Sequence, residues 1–519
     1  MFKNILNIDR YALTVTYAFY KQNKHAQIST CDMFYRKPPS EFPFIVNAGV
    51  WWALDYLRSL EFTPKDLDYI EENLNISDEG FKEFLSKFSY DKLKIDYMIE
   101  GEFAYPNTPI LSVKSELGYV LLFEAPLLSI FNLCTAIATN ALYYRSLARD
   151  LPIIEMGLRR AYGPEAAYLC SIYSVCSGIN HSSNVIVSKE YGMTSKGTMS
   201  HAFILAFDNS DDFNDLSIPD KVLSALKMTR KGFLTDLHKR RKSFGCESTS
   251  NGELKAFLSF MFSFNTEFAA LIDTFDTLSS GLKNYALVAS YVSEMGIKNK
   301  GIRLDSGDLI ELSLQCRKYL KDFDKQFGYN LATETNILAS SDIDGKFLKQ
   351  LTQNQHEINS LGIGTKLVTF KNIESVGMVY KLVDVEGTPK MKFSSELIKA
   401  NVPARKKLYK VHSGGKRYHL VMRYDEELKP GEMVAFRRDA EKGDYSPETI
   451  VVEEFELLVR NDVIPDKFDA MACKNRIDKN YKEMIDDNKH IECVLYSAKL
   501  QDIVAKSHAL VKAYTVTQD

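Results

Sequence analysis

The stretch KGIRLDSGDL, residues 300–309, decides the fold of this chain. Its short, mostly apolar run ends in small and acidic residues, and a pattern typical of a helix follows. The same arrangement recurs in LPIIEMGLRR (151–160), MTSKGTMSHAF (193–203), AALIDTFDT (269–277), TNILASSDID (335–344) and INSLGIGTKL (358–367). Strands that alternate with helices predict βαβ units and therefore a parallel sheet.

Polar clusters at these six predicted strand ends indicate one shared functional site. In a closed parallel barrel, function lies at the carboxyl ends of the strands, where the loops begin. A doubly wound open sheet also concentrates function at that edge. Six contributing strands favour the barrel, so we expect an α/β fold built on an irregular (β/α) barrel.

The chain also has length for more than one domain, since about 150 residues is typical of each and 519 are present. Residues 1–145 are predicted to form the N-terminal part of a discontinuous α+β domain, and 146–375 the barrel. Residues 376–519 are predicted to complete the α+β domain and to add a helical tail. The charged stretch 209–250, with its basic run at 239–242, is expected to be an inserted loop with a solvated face.

The composition is that of an ordinary folded protein, with 45% apolar, 12% aromatic and 26% charged residues. So many aromatic residues exclude a disordered chain. The 65 basic and 68 acidic side chains give a net charge of -3, which argues against a dedicated nucleic-acid binder. A small anionic substrate needs only a few well-placed cations, so it stays compatible with this balance.

Cysteine usage and hydropathy bear on the compartment. The eight cysteines include no C-x-x-C pair, which predicts reduced thiols in a cytoplasmic protein. The segment Ala125–Tyr144 has no charged residue and is long enough to span a membrane. Its serine, threonine and asparagine side chains would be costly in lipid, so we expect a buried helix and no membrane partner.

Three arginines at strand ends are candidates for binding an anion. Arg159 and Arg160 follow one predicted strand directly, and Arg303 lies within the end of another. The planar guanidinium group suits carboxylates and phosphates. The alternative for each is an ion pair with a nearby carboxylate such as Glu155 or Asp305.

Gly362 and Gly364 precede Thr365 at a predicted strand-to-helix turn. Such a turn lets backbone N–H groups approach a phosphate. A tight turn with a purely structural role is an equal alternative.

Asp305, Ser306 and Asp308 place two carboxylates beside a glycine. They can bind ribose hydroxyl groups or a phosphate-bound magnesium ion, and either Asp or Ser can also cap the following helix. His201 closes the cluster KGTMSHAF. It is either a structural histidine, or a base or phosphate acceptor beside a Lys-Gly-Thr loop.

Taken in order, these clusters resemble the nicotinate phosphoribosyltransferase family from about residue 9 to residue 410. No single piece is decisive, but their shared order is specific. The pieces are Asp9-Arg10-Tyr11, EMGLRRAYGPE (155–165), SSNV (182–185), KGTMSHAF (196–203), LIDTFDT (271–277), GIRLDSGDL (301–309), SSD (340–342), LGIGTKLVT (361–369) and KFSSELIKANVPARKKLYK (392–410).

The resemblance implies a barrel of the type II phosphoribosyltransferase kind and a place in NAD salvage. Nicotinate and phosphoribosyl pyrophosphate would give nicotinate mononucleotide and pyrophosphate, with Mg²⁺ as cofactor. ATP hydrolysis would be coupled through a phosphorylated histidine, as in a ligase, and His201 matches that position. A homodimer with shared active sites is also implied, in which Tyr11 stacks on the pyridine ring across the interface.

The resemblance further assigns site residues by position. Asp273 and Arg303 would act with His201 in catalysis, and Arg303 would meet the nicotinate carboxylate. The remaining matched residues would bind substrate: Leu158, Arg159, Gly197, Thr198, Gly362, Gly364 and Thr365. Asp305 and Ser306 join this group as the ribose- or magnesium-binding candidates of the LDSGDL cluster.

Three departures from the family pattern leave individual roles open. The start reads IDRY instead of T-D-L-Y, and Asn180-His181 stands where Asp-Gly is typical. KFSSEL lacks the usual continuation, so the roles of Ser395 and Glu396 are uncertain.

Three other functions compete with the assignment. Nicotinamide phosphoribosyltransferase is the nearest, but the pair Leu158-Arg159 and the intact RLDSGDL favour the acid, since a carboxylate suits an arginine. A phosphosugar lyase or isomerase barrel would need a Schiff-base lysine, for which Lys196 is the candidate, or metal ligands at strand ends. A non-catalytic binding protein on the same scaffold would not need the intact His201 and LDSGDL.

Overall fold

The computed structural model describes residues 3–39, 41–264, 266–370, 376–392, 399–439, 444–461, 465–486 and 490–516. The chain divides into two compact units. The first comprises Met1–Leu142, Ile172–Gly178 and Phe370–Asp519, and the second comprises Tyr143–Ser171 and Ile179–Thr369. The first unit thus includes Ile172–Gly178, which lies inside the segment predicted to form the barrel.

The strands fall into four sheets. In chain order they are β1 Ile28–Phe34, β2 Ile45–Val46, β3 Lys94–Met98, β4 Phe103–Ala104, β5 Leu111–Glu116, β6 Ile153–Glu155, β7 His181–Ser182, β8 Phe268–Leu271, β9 Lys300–Leu304, β10 Thr335–Ser340, β11 Ser360–Ile363, β12 Val379–Val385, β13 Thr388–Pro389, β14 Lys406–Ser413, β15 Lys416–Arg423, β16 Gly431–Arg438, β17 Tyr445–Val452, β18 Glu454–Leu457, β19 Val459–Arg460 and β20 Ile491–Ser497.

In the second unit, helices follow the strands of the parallel sheet. In chain order the helices of both units are α1 Arg10–Lys21, α2 Val50–Arg58, α3 Pro64–Leu74, α4 Glu79–Ser86, α5 Leu117–Val120, α6 Glu124–Ala148, α7 Pro164–Cys176, α8 Val185–Tyr191, α9 His201–Leu205, α10 Asp220–Leu226, α11 Arg230–Ser243, α12 Asn251–Ser263, α13 Leu282–Glu294, α14 Leu309–Phe327, α15 Leu331–Glu334, α16 Gly345–Leu351, α17 Thr365–Val368, α18 Ala470–Ile485 and α19 Ala498–Val516. Single turns of 3₁₀ helix occur at Tyr90–Lys92 and Leu158–Arg160, and a π-helical turn at Thr277–Gly281.

The sheet of the second unit is parallel throughout and has the order β7-β6-β11-β10-β9-β8. The carboxyl ends of its strands therefore share one edge. Most positions of β9 and β10 are buried, as expected for a parallel sheet that is covered on both faces. This curled sheet confirms the predicted parallel barrel architecture.

One predicted strand is wrong. Within MTSKGTMSHAF, residues 193–200 form a loop and His201 begins α9. The strand at this position of the sheet is β7, which pairs with β6 through His181 and Ser182. The loop is rich in glycine and small polar residues, which favour irregular backbone. Two residues of strand are too few to produce an alternating pattern.

The charged stretch 209–250 is also not the loop that we expected, because it contains α10 and α11. Of the four residues in its basic run, the two lysines are exposed and the two arginines form ion pairs. Arg240 bonds Asp236 and Glu294, and the buried Arg241 bonds Asp211 at 2.6 Å. These arginines hold the segment by ion pairs, whereas Lys239 and Lys242 are exposed as expected.

The first unit is built on two six-stranded sheets, in the orders β13-β12-β1-β5-β3-β19 and β17-β16-β20-β15-β14-β18. The first of these is antiparallel at each pairing. It joins strands from both ends of the chain, since β1 pairs with β12 and β3 with β19. That arrangement makes the unit a discontinuous α+β domain. A buried ion pair, Lys406 to Asp32 at 2.7 Å, likewise links its two parts.

Helix α6 corresponds to the predicted buried helix. Among the described residues it is the one helix long and apolar enough to cross a membrane, and most of its apolar stretch is buried inside the protein. A core helix has the same length and composition.

Candidate active site

The carboxyl ends of β8, β9 and β10 bring three chain segments together. Asp273 and Thr274 follow β8, Arg303 lies in β9 beside Asp305, and Ser340 ends β10. The parallel register pairs Leu271 with Arg303 and Leu304 with Ala339, so these ends are level. Polar residues far apart in sequence therefore share one edge.

His201 contacts this edge from α9. Its Nδ1 atom lies 3.0 Å from Oγ1 of Thr274. Its Nε2 atom lies 3.9 Å from Oδ1 of Asp273 and 3.7 Å from Oδ2 of Asp305. The imidazole ring is 42% exposed, so a substrate can reach it.

Asp305 connects His201 to Arg303. The Arg303 guanidinium donates to Oδ1 of Asp305 at 2.9 Å and to Oγ of Ser340 at 2.8 Å. Ser340 Oγ in turn donates to Oδ1 of Asp305 at 2.6 Å. Burial would raise the pKa of the Asp305 carboxyl, but the Ser340 hydrogen bond and the Arg303 charge outweigh burial and lower it. The ion pair considered from sequence is thus present, and it holds the guanidinium plane in one orientation.

Asp273 is held by a neighbouring segment. Ser306 Oγ donates to its Oδ2 atom at 2.5 Å, while Oδ1 is buried and has no hydrogen-bond partner among the described residues. Asp308 bonds the N–H groups of Ile310 and Glu311 and so caps α14. Of the two carboxylates considered from sequence, Asp308 is structural and Asp305 faces the site.

The backbone before Asp273 is in close contact with a glycine. A Cβ atom on Gly281 would lie 1.9 Å from the carbonyl oxygen of Ile272. Only a hydrogen atom fits there, so Gly281 lets the π-helical turn pack directly on the strand end that carries Asp273 and Thr274.

A cavity of about 210 Å³ opens at the same edge. The cations Arg159, Arg160, Arg303 and Lys366 line it. The rest of its wall comes from four strand ends and consists of Met156, Asp305, Ser340, Ser341, Asp342, Ile343, Gly362, Gly364 and Thr365. A wall with four cations and so many backbone and hydroxyl groups suits an anion such as a phosphate.

Glycine is required at the end of β11 because the end of β6 lies against it. A Cβ atom on Gly364 would lie 2.8 Å from the carbonyl oxygen of Met156. The sequence predicted either a tight structural turn or a phosphate-binding loop at this position. The structure is compatible with both, since this close approach also forms the cavity wall.

Glu155 fixes the end of β6. Its buried carboxylate accepts hydrogen bonds from Ser171 Oγ at 2.9 Å, from Ser182 Oγ at 2.6 Å and from the N–H of Gly157. These bonds position the turn that carries Arg159. Within the described part of the chain no ion pair joins Glu155 to that arginine, so this alternative from the sequence is wrong.

Gly197 and Thr198 line a different cavity. Its volume is about 490 Å³, and its wall includes Lys196, His181 and apolar residues of β8, β9 and β10. Arg303 is not part of this wall, so the structure does not bring Thr198 and Arg303 into one cavity. Asn180, one of the departures from the family pattern, accepts a hydrogen bond from the N–H of Ile153 and so has a structural role.

Two further predicted residues are not part of the lining of either cavity. Leu158 is 51% exposed in the 3₁₀ turn. Tyr11 belongs to the first unit, where its hydroxyl donates to Oε2 of Glu124 at 2.8 Å and its ring is 47% exposed. Burial, the Glu124 hydrogen bond and nearby negative charges raise the pKa of Tyr11 to about 12. Ser395 and Glu396 lie outside the described residues.

Three residues of the site escaped the sequence analysis, Thr274, Ser340 and Glu253, and Glu155 was considered there only as an ion-pair partner for an arginine. Thr274 and Ser340 stand inside the quoted clusters, but only the folded contacts give them partners. Ser341 and Asp342, next to Ser340, have positive φ values of 82° and 46°, which are unusual for residues other than glycine and cluster at functional sites.

Glu253 is a buried acid behind the site. Its Oε2 atom accepts hydrogen bonds from Ser280 at 2.7 Å and Asn284 at 2.9 Å. Burial raises its pKa to about 7; these two bonds lower it, and the charges of Asp273 and Asp276 raise it further. Because the folded state holds this proton more tightly than the unfolded state, stability falls as the pH rises from about 4.5 to about 7.

The Glu253→Gln variant should remove that loss. We expect its free energy of unfolding to exceed that of the wild type by up to about 3 kcal/mol above pH 7 and by little near pH 4.5. Urea denaturation at both pH values measures the difference. Glu72→Gln, at an exposed helix position, is the matched control and should show no pH-dependent gain. Equal pH profiles for Glu253→Gln and the wild type would contradict the prediction.

Comparison with known proteins shows consistent similarity. A family model described as the nicotinate phosphoribosyltransferase N-terminal domain matches residues 6–132. The Caenorhabditis elegans nicotinate phosphoribosyltransferase is 32% identical over 446 residues, which are 84% of this chain and 79% of that protein. The Dictyostelium discoideum protein of the same name is 34% identical over 407 residues, 78% of this chain and 68% of that protein.

A solved structure extends the similarity over nearly the whole chain. The crystal structure of human nicotinic acid phosphoribosyltransferase superposes with a TM-score of 0.81 at 25% sequence identity. The superposition covers 96% of this chain and 99% of the human one.

Proposed function

The chain belongs to the nicotinate phosphoribosyltransferase family, its activity is phosphoribosyl transfer to nicotinate in NAD salvage, and we propose which barrel residues perform it. The observation that carries the proposal is the cation-lined cavity beside Arg303, Asp305 and His201. Along one edge of the sheet, this cavity combines groups that can bind an anion, an arginine that can bind a carboxylate, and a histidine.

Arg303 binds the carboxylate of nicotinate. Its guanidinium is held by Asp305 and Ser340 through Nε and one terminal nitrogen, which leaves the remaining N–H donors in a fixed orientation. A held guanidinium loses little freedom when it binds a planar carboxylate. Nicotinamide offers no negative charge to this group, which favours the acid as substrate.

Phosphoribosyl pyrophosphate occupies the cavity of about 210 Å³. Arg159 and Arg160 neutralise its phosphates, and Gly362, Gly364 and Thr365 form the wall against which a phosphate group lies. Departing pyrophosphate gains negative charge while C1 of the ribose becomes oxocarbenium-like. Fixed cations on one side stabilise the negative charge of the pyrophosphate. A carboxylate on the other side stabilises the positive charge of the ribose. The pyridine nitrogen attacks with its own lone pair, so positioning supplies most of the catalysis.

Asp273 and Asp305 are the residues that would hold Mg²⁺. Mg²⁺ takes one or two protein carboxylates together with substrate phosphates, and the buried, unpartnered Oδ1 of Asp273 is an oxygen donor suited to it. The ion would neutralise the leaving group.

His201 accepts a phosphoryl group from ATP, which couples ATP hydrolysis to the transfer. Its half-exposed ring and its two carboxylate neighbours support this role. A phosphoryl group there would add fixed negative charge beside the substrate site and change the affinity for substrates.

The chain acts as a homodimer with shared sites, in which the exposed ring of Tyr11 stacks on the pyridine of the partner's site. The protein works in the cytoplasm, which its eight thiols, seven of them buried, support.

Pyrophosphate release tests the proposed chemistry. The full chain with phosphoribosyl pyrophosphate and Mg²⁺ should release pyrophosphate when nicotinate is added, and ATP should stimulate the release. We expect kcat/KM for nicotinate to exceed that for nicotinamide by about 100-fold or more, since a site built for a charged group rejects the analogue that lacks it. A preference for nicotinamide would favour that alternative substrate, and no release with either would refute phosphoribosyl transfer.

A further inference from the structure

The hydrogen bond between His201 and Thr274 gives the two imidazole nitrogens different surroundings. Nδ1 lies 3.0 Å from Oγ1 of Thr274, within hydrogen-bond distance. Nε2 lies 3.7 Å or more from the two carboxylates it faces, beyond hydrogen-bond distance. Of the two nitrogens, Nε2 is therefore the one that makes no hydrogen bond within the described part of the chain.

The groups around the ring are themselves fixed. Thr274 follows Asp273 directly at the end of β8, and that strand end is packed against Gly281. The other oxygens of the two carboxylates are bonded, Asp273 to Ser306 and Asp305 to Arg303 and Ser340. The ring is thus oriented by a contact with a strand end whose own side chains are held by hydrogen bonds.

We propose that Thr274 is a positioning residue for phosphoryl transfer to His201, and that Nε2 is the nitrogen that becomes phosphorylated. Thr274 Oγ1 accepts a hydrogen bond from Nδ1–H, and a neutral imidazole with its proton on Nδ1 has its lone pair on Nε2. The inference rests on the proposed role of His201 and adds the nitrogen and the residue that selects it.

The step balances without a further reactant. The Nε2 lone pair attacks the γ-phosphorus of ATP, the bond to the β–γ bridging oxygen breaks, and ADP leaves with that electron pair. Nδ1 keeps its proton, and Thr274 Oγ1 stabilises the positive charge that develops on the ring. When water later attacks the phosphorus, the N–P bond breaks and its electrons return to Nε2. The water proton leaves with the released phosphate or to solvent.

The site of phosphorylation on the wild-type enzyme is the first test. The full chain is incubated with ATP and Mg²⁺, and the phosphohistidine isomer at residue 201 is determined by ³¹P NMR and by mass spectrometry. We expect the Nε2 isomer. The Nδ1 isomer would overturn this inference and leave the role of His201 intact. Phosphate elsewhere, or none, would refute the proposed coupling itself and this inference with it.

A matched pair of variants tests the role of the hydroxyl. Thr274→Val keeps the shape of the half-buried side chain and removes the acceptor, whereas Thr274→Ser keeps the acceptor. Rapid-quench measurement should give phosphohistidine formation slowed by about tenfold or more in Thr274→Val and by no more than about threefold in Thr274→Ser. Equal rates in Thr274→Val and wild type would overturn the proposal, as would equal slowing in both variants. If Thr274→Val fails to fold, the isomer measured on the wild type still decides.

Discussion

Replacing Arg303 with methionine should lower kcat/KM for nicotinate by about 10²- to 10³-fold. The substitution removes the charged donor that we propose for the substrate carboxylate, and charge-assisted hydrogen bonds of this kind are among the strongest in proteins. Turnover of nicotinamide should fall much less, because that substrate has no carboxylate to lose. The preference for the acid should therefore shrink along with the rate. Steady-state kinetics with both substrates measure the two effects.

Arg303→Lys separates charge from geometry. Lysine keeps the positive charge, but it lacks the planar fork with which Arg303 donates to Ser340 and Asp305 at the same time. We therefore expect a kcat/KM between that of the wild type and that of Arg303→Met. Arg58→Met, at an exposed arginine of the first unit, is the control and should leave both substrates unaffected. An Arg303→Met enzyme that keeps its full preference for nicotinate would show that another group recognises the carboxylate.

Removing Arg303 has a predictable cost to stability. Its charge helps to lower the pKa of Asp305, and a carboxyl with a lowered pKa stabilises the fold above its unfolded pKa and loses that contribution as the pH falls. Thermal melts at neutral pH therefore accompany the kinetics, so that a loss of activity is read only from folded protein.

Replacing His201 with alanine should uncouple ATP from the transfer. The ADP formed for each nicotinate mononucleotide should fall from about one to near zero, and ATP should no longer stimulate the rate. Slow transfer should remain, because the pyridine nitrogen attacks without help from a protein nucleophile. Parallel assays of ADP and of pyrophosphate measure the ratio. ATP coupling retained in His201→Ala would exclude this histidine as the phosphoryl acceptor.

His238→Ala is the control for loss of a histidine. His238 is exposed on α11, and its ring packs on Phe213. Coupling should be unchanged in that variant.

The parallel sheet of the barrel could be predicted from sequence because its strands are local signals. In KGIRLDSGDL and TNILASSDID the apolar residues end where the strand ends, and β9 and β10 lie where the pattern put them. The prediction of a strand in MTSKGTMSHAF is wrong because the strand at this place in the sheet gives no local signal. His181–Ser182 forms its two-residue strand by pairing with β6, and pairing across the chain has no local pattern.

The chemistry of the site divides in the same way. The charges of Arg303, Asp305 and His201 are visible in the motifs, but their partners are not. Thr274 meets His201 across 73 residues of sequence, and Ser340 meets Arg303 across 37. Such contacts depend on the register of neighbouring strands. For Arg303 the two alternatives from the sequence, an ion pair and an anion-binding role, do not exclude each other, because the ion pair with Asp305 orients the guanidinium group.

Gly281 has a consequence for any attempt to redesign this enzyme. It lines neither of the two cavities described above, and a search for specificity determinants among their walls would pass over it. Yet its missing side chain is what allows the turn to rest on the carbonyl of Ile272, and the next two residues of the chain are Asp273 and Thr274. Mutagenesis aimed at a new substrate must therefore keep position 281 constant, just as it must keep Gly364 in the cavity wall. The set of residues that defines the active site is therefore larger than the set that faces the substrate.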